Sequence, residues 1–225
     1  MLADYQTLTD SMVRDDAGKI TPIERDLAIA AAVIRYSKDR PRIKVEDITA
    51  PGGHYLPLPT GWEAEFSDSR SLEYPLGKVP PVYLEPDSWD MYATPSGTQI
   101  MCKSASLPAN AAVRASYTIR HIVSTTVDTV PETDRETVAS YAASLLLDQL
   151  ASLYSGDSDS TIQADSVNHQ SKAGEFAARA RALRKRYFDD LGIDTKRNAA
   201  SGVVVNLNLK DSRGRDRLTH PEARR

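Results

Sequence analysis

Proline is distributed very unevenly along this chain of 225 residues, and that distribution limits what each part can fold into. Eleven of the thirteen prolines fall between Pro41 and Pro131, whereas the flanking segments are nearly free of them. Proline interrupts helices because it lacks a backbone N–H and because its ring clashes with the preceding turn. We therefore predict helical flanks around a middle segment of strands and turns.

The first strong helix signal begins at Thr21, a good N-cap residue. Pro22 suits the first helical position and Glu24 completes a capping box, while Pro41 ends the helix. Apolar residues follow at 4-3-4 spacing and form one stripe, which consists of Ile23, Leu27, Ala30 and Ile34. A weaker helix is predicted before it, around residues 3–13.

The second helix is predicted after Pro131, with Thr133 and Glu136 as a capping box and Gly156 as its end. It is apolar on almost every side except for serines and one aspartate spaced four apart: Ser140, Ser144, Asp148 and Ser152. A helix of this kind has to be packed on several faces, either in a bundle or at a subunit interface.

The third helix is predicted from about Asn168 to Leu191, with Gly192 as its C-cap. Its predicted buried stripe comprises Ala173, Phe176, Ala177, Ala180, Leu183, Tyr187 and Leu191. Cations recur on another side of the helix. We interpret this charged face as a subunit interface formed by Lys172, Arg179, Arg181 and Arg186.

Between the first two helices lies a predicted β-rich insert at residues 43–128. Five segments have the composition of strands and are separated by Gly and Pro turns: HYLPLP, EAEFSDSRSLEYP, VYLEPDSWDMY, TQIMCK and AVRASYTIRHIV. Eight of the fifteen aromatic residues lie here, Trp62 and Trp89 among them. Exposed aromatic rings could stack on sugars, but we favour the interpretation that the two tryptophans fill a small β core.

Catalytic residue types are concentrated in one short stretch, where Asp165, His169 and Ser171 lie within seven positions. Triads converge from distant segments, and no Gly-x-Ser-x-Gly elbow is present, so we assign this stretch to helix capping. The four histidines are scattered without a metal-ligand spacing. We predict no enzymatic activity, no metal site and no cofactor.

The cysteine and hydropathy patterns limit the environment of the protein. The single cysteine, Cys102, excludes an internal disulfide and indicates a reducing compartment. The N-terminus lacks the pattern of a signal peptide. The longest aliphatic run, at residues 28–34, is far too short to span a bilayer, so no membrane association is expected.

Charge distinguishes the C-terminus from the rest of the chain. From Ile193 onward eight Lys and Arg residues stand against four Asp and Glu residues, which gives this segment a charge of +4 and leaves −7 for residues 1–192. The run VVVNLNL at 203–209 alternates like a strand. A basic tail on an acidic body indicates an arm that docks on a partner. Sequence-specific DNA binding is disfavoured, because no recognition motif is present.

The order of these segments is similar to that of a known group of proteins. A helix ending in YSKDRPR precedes an insert with GHYLPLPTGWEAEFS and LEYPLGKVPP, and the helix TVPETDRETVASYAASLLLDQLA and the segment DSTIQADSVNHQSKAGEFAARARALRKRY follow. This order, over most of residues 20–190, resembles the head-to-tail connector (adaptor) proteins of tailed bacteriophages, which form a ring beneath the portal.

Together, the segment patterns and the resemblance predict an α+β architecture with three parts. A bundle of three to four helices would comprise residues 1–42 and 129–192, an antiparallel β insert residues 43–128, and an extended arm residues 193–225. The arm would add a strand to a sheet edge of the portal protein. The expected portal-binding residues are Val203, Val205, Asn206, Leu207, Leu209, Arg213, Arg215, Arg217, Arg224 and Arg225.

The resemblance also implies that the protein is made in the cytoplasm of the bacterial host and forms a twelve-membered homo-oligomeric ring in the virion neck. Its partners would be the portal and a downstream neck or tail protein, and genomic DNA would pass through the lumen without specific contacts. The role of the insert stays open, because smaller members of the group are nearly all helix. Two alternatives also stay open, a hexameric tail terminator or tail completion protein and a carbohydrate-binding accessory virion protein.

Overall fold

The structure is a computed structural model, and it describes residues 1–15, 17–95, 97–103, 106–155 and 172–194. Within these ranges the chain forms four α-helices: α1 Leu2–Val13, α2 Pro22–Asp39, α3 Arg135–Ser155 and α4 Lys172–Asp190. Six strands lie between α2 and α3 in the same ranges: β1 Arg42–Thr49, β2 Tyr55–Leu56, β3 Ser69–Glu73, β4 Trp89–Thr94, β5 Gly97–Cys102 and β6 Ala112–Ile119. The α+β class is confirmed.

Local sequence signals explain where α2 begins. Thr21 is its N-cap, and the hydroxyl of Thr21 accepts a hydrogen bond from the backbone N–H of Glu24 at 3.2 Å. In return the carboxylate of Glu24 accepts from the backbone N–H of Thr21 at 2.7 Å. Two backbone donors that have no partner inside the helix are thereby satisfied, so the predicted capping box is confirmed.

The start of α3 differs from the prediction. A 3-10 turn, Glu132–Asp134, precedes α3, which begins at Arg135. The hydroxyl of Thr133 donates to the Asp134 carboxylate at 3.0 Å, so the predicted capping box of Thr133 with Glu136 is wrong. The hydroxyl of Thr133 therefore bonds to the carboxylate of the next residue, as Ser and Thr side chains commonly do near helix starts.

Helix α3 is the centre of the bundle and packs against α1, α2 and α4. Ten of its residues are buried, among them Ser140 and Ser144 on the side that the sequence marked as polar. Their hydroxyls donate 2.7 Å hydrogen bonds to backbone carbonyls three residues earlier, those of Thr137 and Tyr141. The apolar character of α3 on nearly every side is therefore accounted for inside one subunit, and α3 needs no subunit interface to cover it.

The interior of α4 follows the predicted stripe. Ala180, Tyr187 and Leu191 are buried, and the other predicted positions are half-buried. Gly192 adopts a φ of +68°, a left-handed conformation that favours glycine after a helix. The hydroxyl of Tyr187 donates to Asp39 at the end of α2, which joins the last helix to the first half of the bundle.

The predicted stripe of α2 is wrong. Ile23, Leu27, Ala30 and Ile34 are exposed, with 73% of Ile23 and 64% of Leu27 accessible. The helix instead buries the neighbouring face, which consists of Ala28, Ile29, Ala32, Val33, Tyr36 and Ser37. Because α2 is apolar on two faces, its periodicity did not distinguish the side that meets α3 from the side that meets solvent.

The β segment forms two antiparallel three-stranded sheets, with strand orders β1-β6-β3 and β2-β5-β4. Each of the five predicted segments contains part of a strand. Strand β1 was missed, although RIKVEDIT alternates as a half-buried strand does. A separate core lies here, built around buried residues such as Leu56, Leu72, Ile100, Leu107 and Val113. The proposed domain boundaries remain a prediction.

Candidate assembly interfaces

The exposed stripe of α2 is the most prominent apolar feature on the surface of the bundle. Ile23, Leu27 and Ile34 expose 73, 64 and 48% of their surface, and the exposed Ala30 lies between them. We call these four residues the outer α2 stripe. Their 4-3-4 spacing places them on one side of the helix, along about three turns. A row of aliphatic side chains in water is typical of a surface that meets another protein.

A groove of about 370 Å³ continues the outer α2 stripe toward the segment that follows β6. Its walls include Ala30 and Ile34 from the stripe, together with Ile122, which is 51% exposed. Asp26 and His121 are polar members of the same wall. The groove therefore extends the apolar surface beyond the helix itself and gives it a concave part that a side chain of a partner would fit.

Three of the four cations assigned to a subunit interface make contacts inside the subunit. Arg179 donates from Nη2 to the backbone carbonyl of Met12 at 2.8 Å, at the end of α1. Arg186 pairs with Glu136 on α3 at 2.7 Å. The ammonium group of Lys172 lies 5.8 Å from the ring centroid of Tyr154. These contacts tie α4 to its own bundle and leave the predicted interface role untested.

Arg181 is placed differently. Its Nε donates to the carbonyl of Ala177 in its own helix at 3.2 Å. The side chain also lines an open groove of about 780 Å³ at the C-terminal end of α4, together with Lys185, Phe188 and Ile193. Of the four predicted interface cations, Arg181 is thus the one that makes no hydrogen bond or ion pair with another helix in the described ranges.

Two predicted sites fall outside the described residues. The helix-capping cluster of Asp165, His169 and Ser171 lies in the undescribed segment 156–171. The whole set of expected portal-binding residues, from Val203 to Arg225, lies in the undescribed segment 195–225.

The two tryptophans of the insert are partly buried. Trp62 lies 5.8 Å from the buried ring of Tyr117, measured between ring centroids. Trp89 packs against the core of the insert, where its indole N–H has no hydrogen-bond partner among the described residues. Both positions agree with a packing role. Tyr55 and Tyr92 form the exposed aromatic pair, with centroids 5.7 Å apart and 43% of each residue accessible.

Three tyrosines of the bundle and the buried Cys102 have raised pKa values. Burial, together with a neighbouring carboxylate, raises the pKa of Tyr5, Tyr36 and Tyr187 well above the ordinary range. The pKa of Cys102 is raised by burial, which keeps the thiol protonated and unreactive. The three tyrosine hydroxyls donate to carboxylates that hold their protons in place, which suits a structural role.

Metal-ligand clusters and membrane-spanning helices are both absent from the described ranges. No group of three or more His, Cys, Asp or Glu side chains is arranged there to hold a metal ion. No helix in those ranges combines the length and apolar character needed to cross a membrane.

Comparison with known proteins gives no matching family model and no matching curated protein. Among solved structures, the chain is similar to a chain of the neck of an empty GTA particle computed with C6 symmetry. That match has 15% sequence identity and a TM-score of 0.28, and it covers 76% of this chain and 87% of that chain. A second match, to the neck of a native GTA particle computed with C12 symmetry, has 18% identity and a TM-score of 0.26. It covers 80% of this chain and 87% of that chain. At these TM-scores the two matches do not establish a shared fold.

Proposed function

We propose that the protein is a structural component of a virion neck, a connector whose copies form a ring beneath the portal and join the DNA-filled head to the tail. The observation that carries this proposal is the outer α2 stripe. A helix that buries one apolar face in its own bundle and exposes a second is built to pack against another subunit. The order of sequence segments that resembles phage adaptors supports the choice of a neck ring among possible assemblies.

The energy available from the stripe is substantial. Full burial of an aliphatic side chain stabilises an interface by roughly 1.5–3 kcal/mol. Ile23, Leu27 and Ile34 together therefore offer on the order of 4 kcal/mol per contact, because each is already partly covered. In a closed head-to-tail ring each subunit takes part in two such contacts. Its stripe packs against one neighbour, and its complementary surface receives the stripe of the other, so no stripe is left exposed at a free end.

The C-terminal arm provides the second part of the proposal. Residues 203–209 would bind a strand edge of the portal, and the arginines from Arg213 to Arg225 would meet acidic portal surface. Twelve arms held in one ring would bind together, since the first contact raises the effective concentration of the others. DNA would pass through the lumen, and a downstream neck or tail protein would bind the opposite side.

Self-association through the outer α2 stripe is tested with one matched pair of variants. Leu27→Asp places a charge in the centre of the stripe, whereas Leu27→Met keeps the position apolar and of similar volume. We expect the wild type and Leu27→Met to form rings in native mass spectrometry and electron microscopy, alone or with portal. Leu27→Asp should remain a folded monomer with unchanged circular dichroism. Rings of Leu27→Asp with wild-type stability would contradict the proposal.

The same measurements separate the alternatives. A ring mass of six subunits would favour a tail terminator or completion protein over a connector of twelve. The exposed pair Tyr55 and Tyr92 is the feature that favours carbohydrate binding, because two accessible rings can stack on a sugar. Glycan-array binding by the full chain that is lost in Tyr92→Ala would support that alternative.

Deletion of residues 200–225 should abolish association with portal rings and leave the fold intact.

A further inference from the structure

Strand β1 forms an open edge of its sheet. Over its eight residues β1 pairs with β6 alone, and the sheet order β1-β6-β3 places β6 on one side of it and no strand of the described chain on the other. Apart from the ladder with β6, no backbone–backbone hydrogen bond in the described ranges involves Arg42–Thr49. The outward N–H and C=O groups of an edge strand form a template for one more strand.

The exposed face of β1 carries two β-branched residues next to Asp47, which is paired with Arg114. Ile43 is 62% exposed and Val45 is 54% exposed, and both lie on the same face because they are two residues apart. Across the ladder they face Thr118 and Ser116, whose small side chains cannot cover them. Two exposed β-branched residues on an unpaired edge favour the addition of a strand with its own apolar face.

Near its C-terminal end, the described chain contacts a residue that lies just before strand β1. Arg40, two residues before β1, donates from Nη2 to the backbone carbonyl of Leu191 at 3.4 Å. Leu191, three residues before the end of the described chain, therefore lies near the start of β1. From Asp194 to Val203 the chain has nine Cα-to-Cα steps, which reach roughly 30 Å when extended. The eight residues of β1 span roughly 27 Å, so the whole edge is within reach.

We infer that residues 203–209 of the same chain add to the free edge of β1 as a fourth strand of that sheet. The seven residues of VVVNLNL match the eight of β1 in length. Val203, Val205, Leu207 and Leu209 would lie on the face of Ile43 and Val45, and Asn206 and Asn208 on the opposite face. A tether of eight residues, 195–202, gives the arm a millimolar effective concentration, which favours its own edge over that of a second copy.

This inference does not depend on the neck proposal, since it concerns the isolated chain. It has a consequence for that proposal, because β1 and a portal strand would compete for the same arm. The arm would be stored on its own subunit before assembly, and binding to the portal would uncover the β1 edge.

Hydrogen exchange read by mass spectrometry tests the inference on three forms of the protein. These are the full chain, a chain that lacks residues 201–225, and a matched control that lacks only residues 210–225. In the full chain, amides of 203–209 should exchange on the order of tenfold or more slowly than in a free peptide of that sequence. Amides of β1 should exchange faster in the first deletion and at the full-chain rate in the control. Unchanged exchange of α3 and α4 would show that each form is folded.

Three results would overturn the inference. The first is that residues 203–209 of the full chain exchange as fast as the free peptide. The second is β1 exchange that is unaffected by loss of residues 201–225, and the third is protection of 203–209 that disappears on tenfold dilution. That result would assign the strand to the arm of a second copy rather than to the same chain.

Discussion

The hydroxyl of Tyr187 on α4 donates a 2.7 Å hydrogen bond to the carboxylate of Asp39, the last residue of α2. The same carboxylate accepts from Nε of Arg35 at 2.8 Å. The arrangement of a buried tyrosine, an aspartate and an arginine recurs twice more in the bundle, in Tyr36–Asp134–Arg40 and Tyr5–Asp128–Arg135. Each set joins segments that are far apart in the sequence, so each helix is fixed in position by polar contacts as well as by the apolar core.

Replacement of Tyr187 by Phe should destabilise the bundle. Tyr187 is fully buried, so loss of its hydroxyl leaves Asp39 with one partner fewer in a region with little water. We expect the free energy of unfolding, measured by urea denaturation, to fall by about 1–3 kcal/mol. Tyr154→Phe is the matched control, because no hydrogen bond of that hydroxyl is found in the described part of the chain. Equal effects of the two changes would contradict the assigned role of the Tyr187 hydroxyl.

Ser37 should be required for the junction between the bundle and the insert. Its hydroxyl is fully buried, accepts from the backbone N–H of His121 at 2.9 Å and donates to the carbonyl of Val33 at 2.7 Å. Ser37→Ala leaves the N–H of His121 buried without this acceptor. We expect a loss of roughly 1–3 kcal/mol in chemical denaturation. Ser11→Ala removes an exposed hydroxyl with one helical bond and should change stability by less than about 0.5 kcal/mol.

Glu46 should make the insert sensitive to acid. Hydrogen bonds from the side chain and backbone of Thr60, with others from Tyr117 and Gly61, lower its pKa from 4.5 to about 2. A carboxyl whose pKa is depressed by folding stabilises the folded state fully above its unfolded pKa. This contribution is lost as the pH falls from about 4.5 toward about 2.

The test compares the denaturation midpoint of the wild type between pH 5 and pH 2.5 with that of two variants. Glu46→Gln removes the titrating group, so its midpoint should fall less steeply with acid. Glu85→Gln changes an exposed carboxyl whose side chain makes no hydrogen bond in the described ranges, and should follow the wild type. A Glu46→Gln profile parallel to that of the wild type would exclude Glu46 as the source of the acid sensitivity.

Substitution of Arg179 should lower the stability of the monomer, whereas substitution of Arg181 should weaken self-association. Arg179 binds the carbonyls of Met12 and Val13, the last two residues of α1, where a cation also interacts favourably with the helix dipole. Arg179→Gln should therefore lower the thermal stability of the monomer by about 1 kcal/mol. Arg181→Gln should leave stability unchanged and weaken self-association in analytical ultracentrifugation. Unaltered self-association in Arg181→Gln would remove that residue from the predicted interface.

The local parts of the fold could be predicted from the sequence because the signals act over a few residues. Thr21, Pro22 and Glu24 specify the start of α2, and Gly192 marks the end of α4 through its left-handed backbone. The dense prolines of the middle segment kept helices out of it. The missed strand β1 carried an alternating pattern as well, but RIKVEDIT follows a helix end and is rich in charge, which hides a strand at a sheet edge.

The sequence by itself determined where α2 begins, and that the chain ends in an alternating, basic segment. Only the tertiary structure decided which face of α2 is covered, because burial depends on contact with α1 and α3 rather than on periodicity. Tertiary structure also showed that the buried residues of α3 are covered within one subunit, and that Leu191, just after α4, contacts the residue two positions before β1. These relationships join residues some 150 positions apart, such as Arg40 and Leu191, and no local pattern records them.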